Sequence, residues 1–249
     1  MGTGSVGLAA QEVEHGSQRQ RWYFTPVGAV CTVRQRSSNR FLDAFEGGSF
    51  SAVTRGGQGD DTQRWVALPS YGSFSTYTLY QLSSTRRLDA HEGQTFSVVT
   101  REAQNNNSQQ WKLSSTGEGI SLQQVSTGRF LDAYESGGFD VVTRPPQHNE
   151  TQRWLLDVVG GVYTIQQADS GKLLDAHESG DFAVVTRPPQ HNDTQRWVVR
   201  RLGGFTHSIQ QLSSARFLDG HHHQPPSRPM VTRPRQQNAS QRWDIAEQL

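Results

Sequence analysis

One cysteine, Cys31, stands in 249 residues, so no intrachain disulfide can form and folding does not depend on oxidation. No run of about 18 apolar residues occurs, which excludes a hydrophobic transmembrane helix. Charge of one sign is missing too. Twenty-four basic residues face 23 acidic ones, and a net of +1 leaves no footprint for nucleic acid or an anionic membrane surface. Residues 1–16 lack the charged start and apolar stretch of a secretory signal. The expectation is a soluble chain, cytoplasmic or exported by a non-classical route. No helical period or capping box stands out. No nucleophile elbow, phosphate loop or metalloprotease motif is present, so neither catalysis nor a cofactor is expected.

What the chain does have is a repeat. All six tryptophans close the same tripeptide, Gln-x-Trp: Trp22, Trp65, Trp111, Trp154, Trp197 and Trp243, at intervals of 43, 46, 43, 43 and 46. A Leu-Asp-Ala or Leu-Asp-Gly motif occurs five times, at Asp43, Asp89, Asp132, Asp175 and Asp219. The step from Asp to Trp is 22 residues four times and 24 once. Each unit reads as four short strands, typified by 163–167, 172–176, 182–187 and 195–199. They are rich in Val, Ile, Leu, Thr and aromatics and are separated by turn residues. The class is therefore all-β. One such unit cannot bury its own apolar face, so several must close on a common core, with the tryptophan as its largest member. The residues before Trp22 align with the third strand and following turn of the other units, which leaves the first repeat without its first two strands.

Aligning the repeats on one another exposes a fixed polar set larger than a core needs. Eight residues before each Asp stands Gln35, Gln81, Gln124, Gln167 or Gln211. A Glu follows the Asp by three in the first four full units, and histidine replaces it in the last. Next come Arg55, Arg101, Arg144, Arg187 and Arg233, each followed five residues on by Asp60, Asn106, Asn149, Asn192 or Asn238.

A Gln-x-Trp ending each four-stranded unit, preceded by Leu-Asp, resembles the ricin B-type lectin family. That resemblance implies β-trefoils of three units each. Six units then give two tandem trefoils, 1–116 and 117–249, divided in the stretch 114–119, the first repeat being truncated. A shifted grouping, in which the first barrel borrows the strands ending at Asp132, stays open. A propeller of four-stranded blades also accommodates the repeat length. The resemblance further implies multivalent binding of glycans or glycoconjugates, and a homodimer is one assembly it allows. In the family the Asp of Leu-Asp accepts two sugar hydroxyls, as an acceptor-only carboxylate can. Asp43, Asp89, Asp132, Asp175 and Asp219 match it. Asn106, Asn149, Asn192 and Asn238 sit where the family completes its polar grip.

One departure is plain. The family's stacking ring on the third strand is replaced here by the Arg of Val-Thr-Arg. A substitute ring is available two residues after each Asp, at Phe45, His91, Tyr134, His177 and His221. The units around Asp132 and Asp175 combine such a neighbour with an intact turn Asn and stand out as candidates. The opposing reading is that the Asp–Arg pairs, twelve residues apart in most units, are ion pairs that fill the pocket in a scaffold or protein-interaction module. A targeting module of a larger enzyme or toxin is a third. The run His221, His222, His223 has no metal-ligand spacing around it and reads as a loop insertion.

Overall fold

A computed structural model describes residues 6–7, 9–10, 17–70, 72–73, 75–93, 95–220, 228–236 and 238–245. The described residues form strands and six short 3-10 turns, and none of the helices is long and apolar enough to cross a membrane. The all-β expectation holds. Two strand boundaries differ from the sequence reading. Gln195 lies in a 3-10 turn, Asp193–Gln195, so its strand begins at Trp197. Phe182 has φ 53° and stands outside the strand Val184–Arg187. Left-handed backbone ends a strand, and Phe is a residue type that adopts it rarely.

The chain divides into two compact units, Gly28–Val159 and Met1–Val27 joined with Gly160–Leu249. Two fourteen-residue strands, Trp22–Gln35 and Trp154–Gln167, carry the chain from one to the other.

Unit Gly28–Val159 holds three repeats. Its ladders run antiparallel from one repeat to the next: Cys31 pairs with Trp65, Trp65 with Gln81, Trp111 with Tyr77 and with Gln124, and Ile120 with Trp154. Gly119 begins this last contact at φ +151°. A Cβ there would lie 2.7 Å from the Trp154 carbonyl oxygen, so only glycine fits. Three hairpins pack across one end: Phe41–Ala44 with Ala52–Arg55, Arg87–Ala90 with Val98–Arg101, and Phe130–Ala133 with Val141–Arg144. Single bridges link each hairpin to both others, Ser51 to Val99, Val53 to Asp140 and Ser97 to Val142. Trp65, Trp111 and Trp154 are wholly buried at the centre with Leu42, Leu88 and Leu131.

The other unit is built around the repeats of Asp175 and Asp219. The strand Trp197–Gly203 pairs with Trp154–Gln167 on one side and with Thr206–Gln211 on the other. The N-terminal half-repeat joins them. Val6 pairs with Thr186 and Ala9 with Pro229, and Trp22 and Phe24 pack on the core of Ile165, Leu174 and Trp197.

The expected division at 1–116 and 117–249 is thus corrected. The repeat ending at Trp154 closes with those of Asp43 and Asp89, because Gln35 donates to the carbonyls of Ala133 and Thr151. The N-terminal half-repeat instead meets the later repeats, through Gln167 donating to the Arg19 carbonyl and the Ala168 amide to that of Arg21. The shift exceeds the alternative grouping: the whole Asp132 repeat moves, rather than its first strands alone.

Candidate functional site

Each repeat assembles its polar cluster from the tryptophan outward. The indole Nε1 donates to the carbonyl of the Leu before the Asp, at 3.0 Å for Trp65, Trp111 and Trp197 and 3.1 Å for Trp154 and Trp243. This bond satisfies the indole N–H that burial would otherwise strand. It also fixes the height of the Leu-Asp strand against the following Gln-x-Trp. The Gln of that tripeptide then reaches the Asp. Gln63, Gln109, Gln195 and Gln241 donate to Oδ2 of Asp43, Asp89, Asp175 and Asp219 at 3.2–3.3 Å. The same Nε2 also donates to a turn carbonyl, that of Gly56, Glu102, Pro188 or Pro234, and Gln152 does so to Pro145. These glutamines satisfy buried backbone and face inward.

All five carboxylates have zero exposure. On the solvent side the repeat Arg covers four of them. Nη1 of Arg55, Arg101, Arg144 and Arg187 stands 3.4, 3.4, 3.5 and 3.7 Å from Oδ2 of Asp43, Asp89, Asp132 and Asp175. The four guanidinium chains are 26–31% exposed, so each pair spans the boundary between core and water. Distances this long make ion pairs with little hydrogen-bond character. In all five carboxylates Oδ1 has no hydrogen-bond partner. The expectation that each Asp directly receives two sugar hydroxyls therefore meets a closed site. Reaching Oδ2 would require the Arg to move aside.

The residue two after the Asp packs against the Arg in three units. Phe45 lies 4.3 Å beneath the Arg55 guanidinium and Tyr134 4.4 Å beneath that of Arg144. His91 sits 3.0 Å from Arg101 Nη2 through a ring nitrogen. His177 turns instead to Asp181, 3.2 Å away. That contact holds the exposed Asp181 carboxyl below the usual carboxylate range, after a larger effect from the Ala183 amide. Phe45 and Tyr134 remain 44% and 47% exposed.

The model of the family described as ricin-type beta-trefoil lectin domain-like matches residues 61–143, 120–191 and 150–228, together more than half of the chain. The chain belongs to the ricin-type β-trefoil lectin family. Among solved structures, this family member is similar to the designed three-fold symmetric protein ThreeFoil, at 23% identity over 51% of this chain and 96% of that one, with a TM-score of 0.47. It is similar to a mosquitocidal holotoxin at 12% identity over 87% of this chain, TM-score 0.49. A Polyporus squamosus lectin gives 16% identity over 55% of this chain, TM-score 0.48. The chain spans 34% of the holotoxin and 51% of the Polyporus lectin. No curated protein matches it.

In this lectin-family chain the turn Asn residues are exposed and locally engaged. Asn106, Asn149, Asn192 and Asn238 each donate to the Gln two residues earlier. Each accepts from the hydroxyl two residues later, on Ser108, Thr151, Thr194 or Ser240. Among the described residues no hydrogen bond joins a turn Asn to a repeat Asp. Three of the sequence-predicted groups, Asp, Arg and ring, are stacked together in the units of Asp43 and Asp132, and the turn residue, Asp60 or Asn149, is engaged locally in its turn. No cluster of three metal-ligating side chains occurs among the described residues, and His221, His222 and His223 lie outside them. Cys31 is buried, with its thiol pushed up to about 12 by burial and, second, by the charge of Asp157. It is an inert packed thiol.

Sequence reasoning missed a second arginine series. Arg40, Arg86 and Arg129 lie 3.7–3.9 Å over the rings of Phe139, Phe50 and Phe96, each in the preceding repeat of a closed cycle of three. Each also donates through Nε and Nη2 to its own repeat's Thr carbonyl, at Thr54, Thr100 or Thr143. The phenylalanines hold φ of 49–55°. Such strain costs on the order of 1–3 kcal/mol per residue. The stacked guanidinium, worth about 0.5–2 kcal/mol, offsets part of it. Burial lowers the Arg129 pKa from its usual value, and the nearby Arg144 charge adds to this. The signal was available in the sequence: Arg three before and Phe seven after the Asp recur in step.

Proposed function

We propose that this lectin-family chain binds carbohydrate at several equivalent shallow sites, one per full repeat. The observation that carries this reading is the recurrence, in the units of Asp43, Asp89 and Asp132, of a partly exposed Arg against an exposed ring or His, backed by a buried carboxylate. A core does not need that surface pair. The Arg presents donors to sugar hydroxyls, and the open face of Phe45 or Tyr134 packs on the apolar face of the ring. Asp43, Asp89, Asp132, Asp175 and Asp219 act from behind, as the charge that holds the Arg in place. The turn residues Asn106, Asn149, Asn192 and Asn238 flank the sites as further polar contacts. His91 serves where the ring is missing, and His177, held on Asp181, flanks its site as a further polar contact. The unit of Asp132, with Tyr134 against Arg144, is the best formed, and that of Asp43 follows it. Single sites of this kind are weak. Linked sites raise avidity by about 10²–10⁴ where geometry lets two engage together.

The closed Asp–Arg pairs favour a second reading, a trefoil scaffold that binds no sugar or serves a larger enzyme or toxin. A glycan array followed by calorimetry separates them. Wild type binds with several sites per chain. The double variant Tyr134→Ala with Arg144→Ala loses about one site and keeps its far-ultraviolet spectrum. A blank array, or an unchanged stoichiometry, leaves the scaffold reading standing.

A further inference from the structure

In the unit of Met1–Val27 with Gly160–Leu249, the N-terminal strand takes the place of a repeat's third strand. Gly7 pairs with Val185 and Ala9 with Pro229. The sister bridges in the other unit are Ser51 to Val99 and Val53 to Asp140. With Ala183 bridged to Val231, the cycle of three third strands closes. In each of the five full repeats the third strand also pairs with a Leu-Asp strand. Val6–Gly7 and Ala9–Ala10 have no such partner among the described residues.

Three further groups lack what that strand supplies to their sisters. The other five indoles donate to the carbonyl of the Leu in Leu-Asp, and Trp22 makes no such bond among the described residues. Gln35, Gln81, Gln124 and Gln211 each donate to the Ala carbonyl of a Leu-Asp-Ala run and to one more carbonyl, whereas Gln167 has only the latter, on Arg19. The strand Trp243–Asp244 pairs only with Thr206 and His207, whereas Trp111 pairs both with Tyr77 and with Gln124 in the next repeat's first strand. Trp22 and Trp243 are partly exposed, and the other four tryptophans are wholly buried.

These deficits agree on one register. In the sisters the acceptors of the indole and of the glutamine lie two residues apart on a single strand, as the carbonyls of Leu42 and Ala44 do. Alternate residues of an extended strand present their carbonyls to the same side. The bridges set Ala9, Ala10 and Gln11 opposite the sisters' Val, Thr and Arg, so the Arg that covers the acid elsewhere has no counterpart. The aliphatic residue over the indole is therefore what this place selects. In the sisters that residue is a fully buried Leu.

We propose that this open edge docks a β-strand of another polypeptide, an extended segment that pairs with Ala9–Ala10 and sets a Leu-sized side chain over Trp22. Backbone hydrogen bonds to the edge supply affinity, and the place over the indole supplies selection. A second copy of this chain is the poorer occupant, because each of its five Leu-Asp strands is already held by an indole of its own repeat. The site is separate from the Asp–Arg–ring clusters and stands whether or not those bind sugar.

A labelled peptide copying Ile120–Ala133, which joins a first strand to a Leu-Asp strand, tests it on the full chain by fluorescence anisotropy. One peptide is expected to bind per chain and to raise the thermal midpoint. Trp22→Phe and Gln167→Ala, each of which removes one donor, weaken binding about fivefold. A peptide with Leu131→Ser, or with scrambled sequence, loses at least as much. Gln167→Ala and the altered peptides decide the matter even where Trp22→Phe disturbs folding. Absence of saturable binding, equal binding of the scrambled peptide, or binding that Gln167→Ala leaves unchanged overturns the proposal. Sedimentation of the chain alone covers the other occupant: a dimer that the peptide dissociates assigns the edge to a second copy and overturns the choice of a foreign strand.

Discussion

Unit Gly28–Val159 and the unit of Met1–Val27 with Gly160–Leu249 use one sequence pattern to different degrees of closure. In the first, Trp65, Trp111 and Trp154 are fully buried. Gln35, Gln81 and Gln124 are buried as well, each donating to two carbonyls of the preceding repeat around a complete cycle. In the second, only Trp197 is fully buried, and Trp22 and Trp243 are half-buried. Gln211 keeps both bonds, to Ala176 and Thr194, while Gln167 is partly exposed and donates to the Arg19 carbonyl. The difference teaches that the motif specifies a repeat, and that the cycle of repeats specifies how far its residues are buried.

The largest way to break this contrast is through the tryptophans. Trp154→Ala should destabilise its unit by about 3–5 kcal/mol, because it leaves a large cavity and a stranded Leu131 carbonyl. Trp243→Ala should cost about half as much. Urea denaturation followed by the remaining tryptophans' fluorescence measures both. Equal losses would dissolve the distinction between the units.

The glutamines sharpen it. Gln81→Ala strands two carbonyls, those of Ala44 and Thr62, and should cost about 1–3 kcal/mol. Gln167→Ala should cost less than about 1 kcal/mol, since water can serve the Arg19 carbonyl. Amide exchange of the preceding repeat is the direct readout.

The smallest effect concerns the stacked arginines. Arg86→Lys keeps the charge and loses the planar stack on Phe50, for about 0.5–1 kcal/mol. In the other unit Arg216 keeps such a stack, 3.7 Å over Phe182, and Lys172 stands at the remaining matching position, so Lys172→Arg should not destabilise. Thermal midpoints of the two variants moving equally downward would argue against the stacking term.

The fold was legible because its determinants repeat locally: the Gln-x-Trp and Leu-Asp spacings name both ends of the indole-to-Leu bond. The grouping of repeats was not. It depends on which carbonyl Gln35 or Gln167 finds, more than ninety residues away in each case. The candidate site was legible as a list and not as a layering. Asp, Arg and ring recur in step, but the sequence does not say which lies deepest. Burial decides that: the Asp is held by Gln-x-Trp beneath, and the Arg is long enough to lie across it. The phenylalanines at positive φ were read as strand for the same reason, since side-chain type alone argues against that backbone.

The two long strands that carry the chain between units set an order of events during synthesis. Unit Gly28–Val159 is one uninterrupted stretch and can complete its cycle as soon as Val159 leaves the ribosome. The N-terminal half-repeat emerges first yet finds its partners only in Gly160–Leu249. It must wait, with Trp22 and Phe24 uncovered, while more than a hundred intervening residues fold. The half-repeat is therefore made before Gly28–Val159 and settles after it.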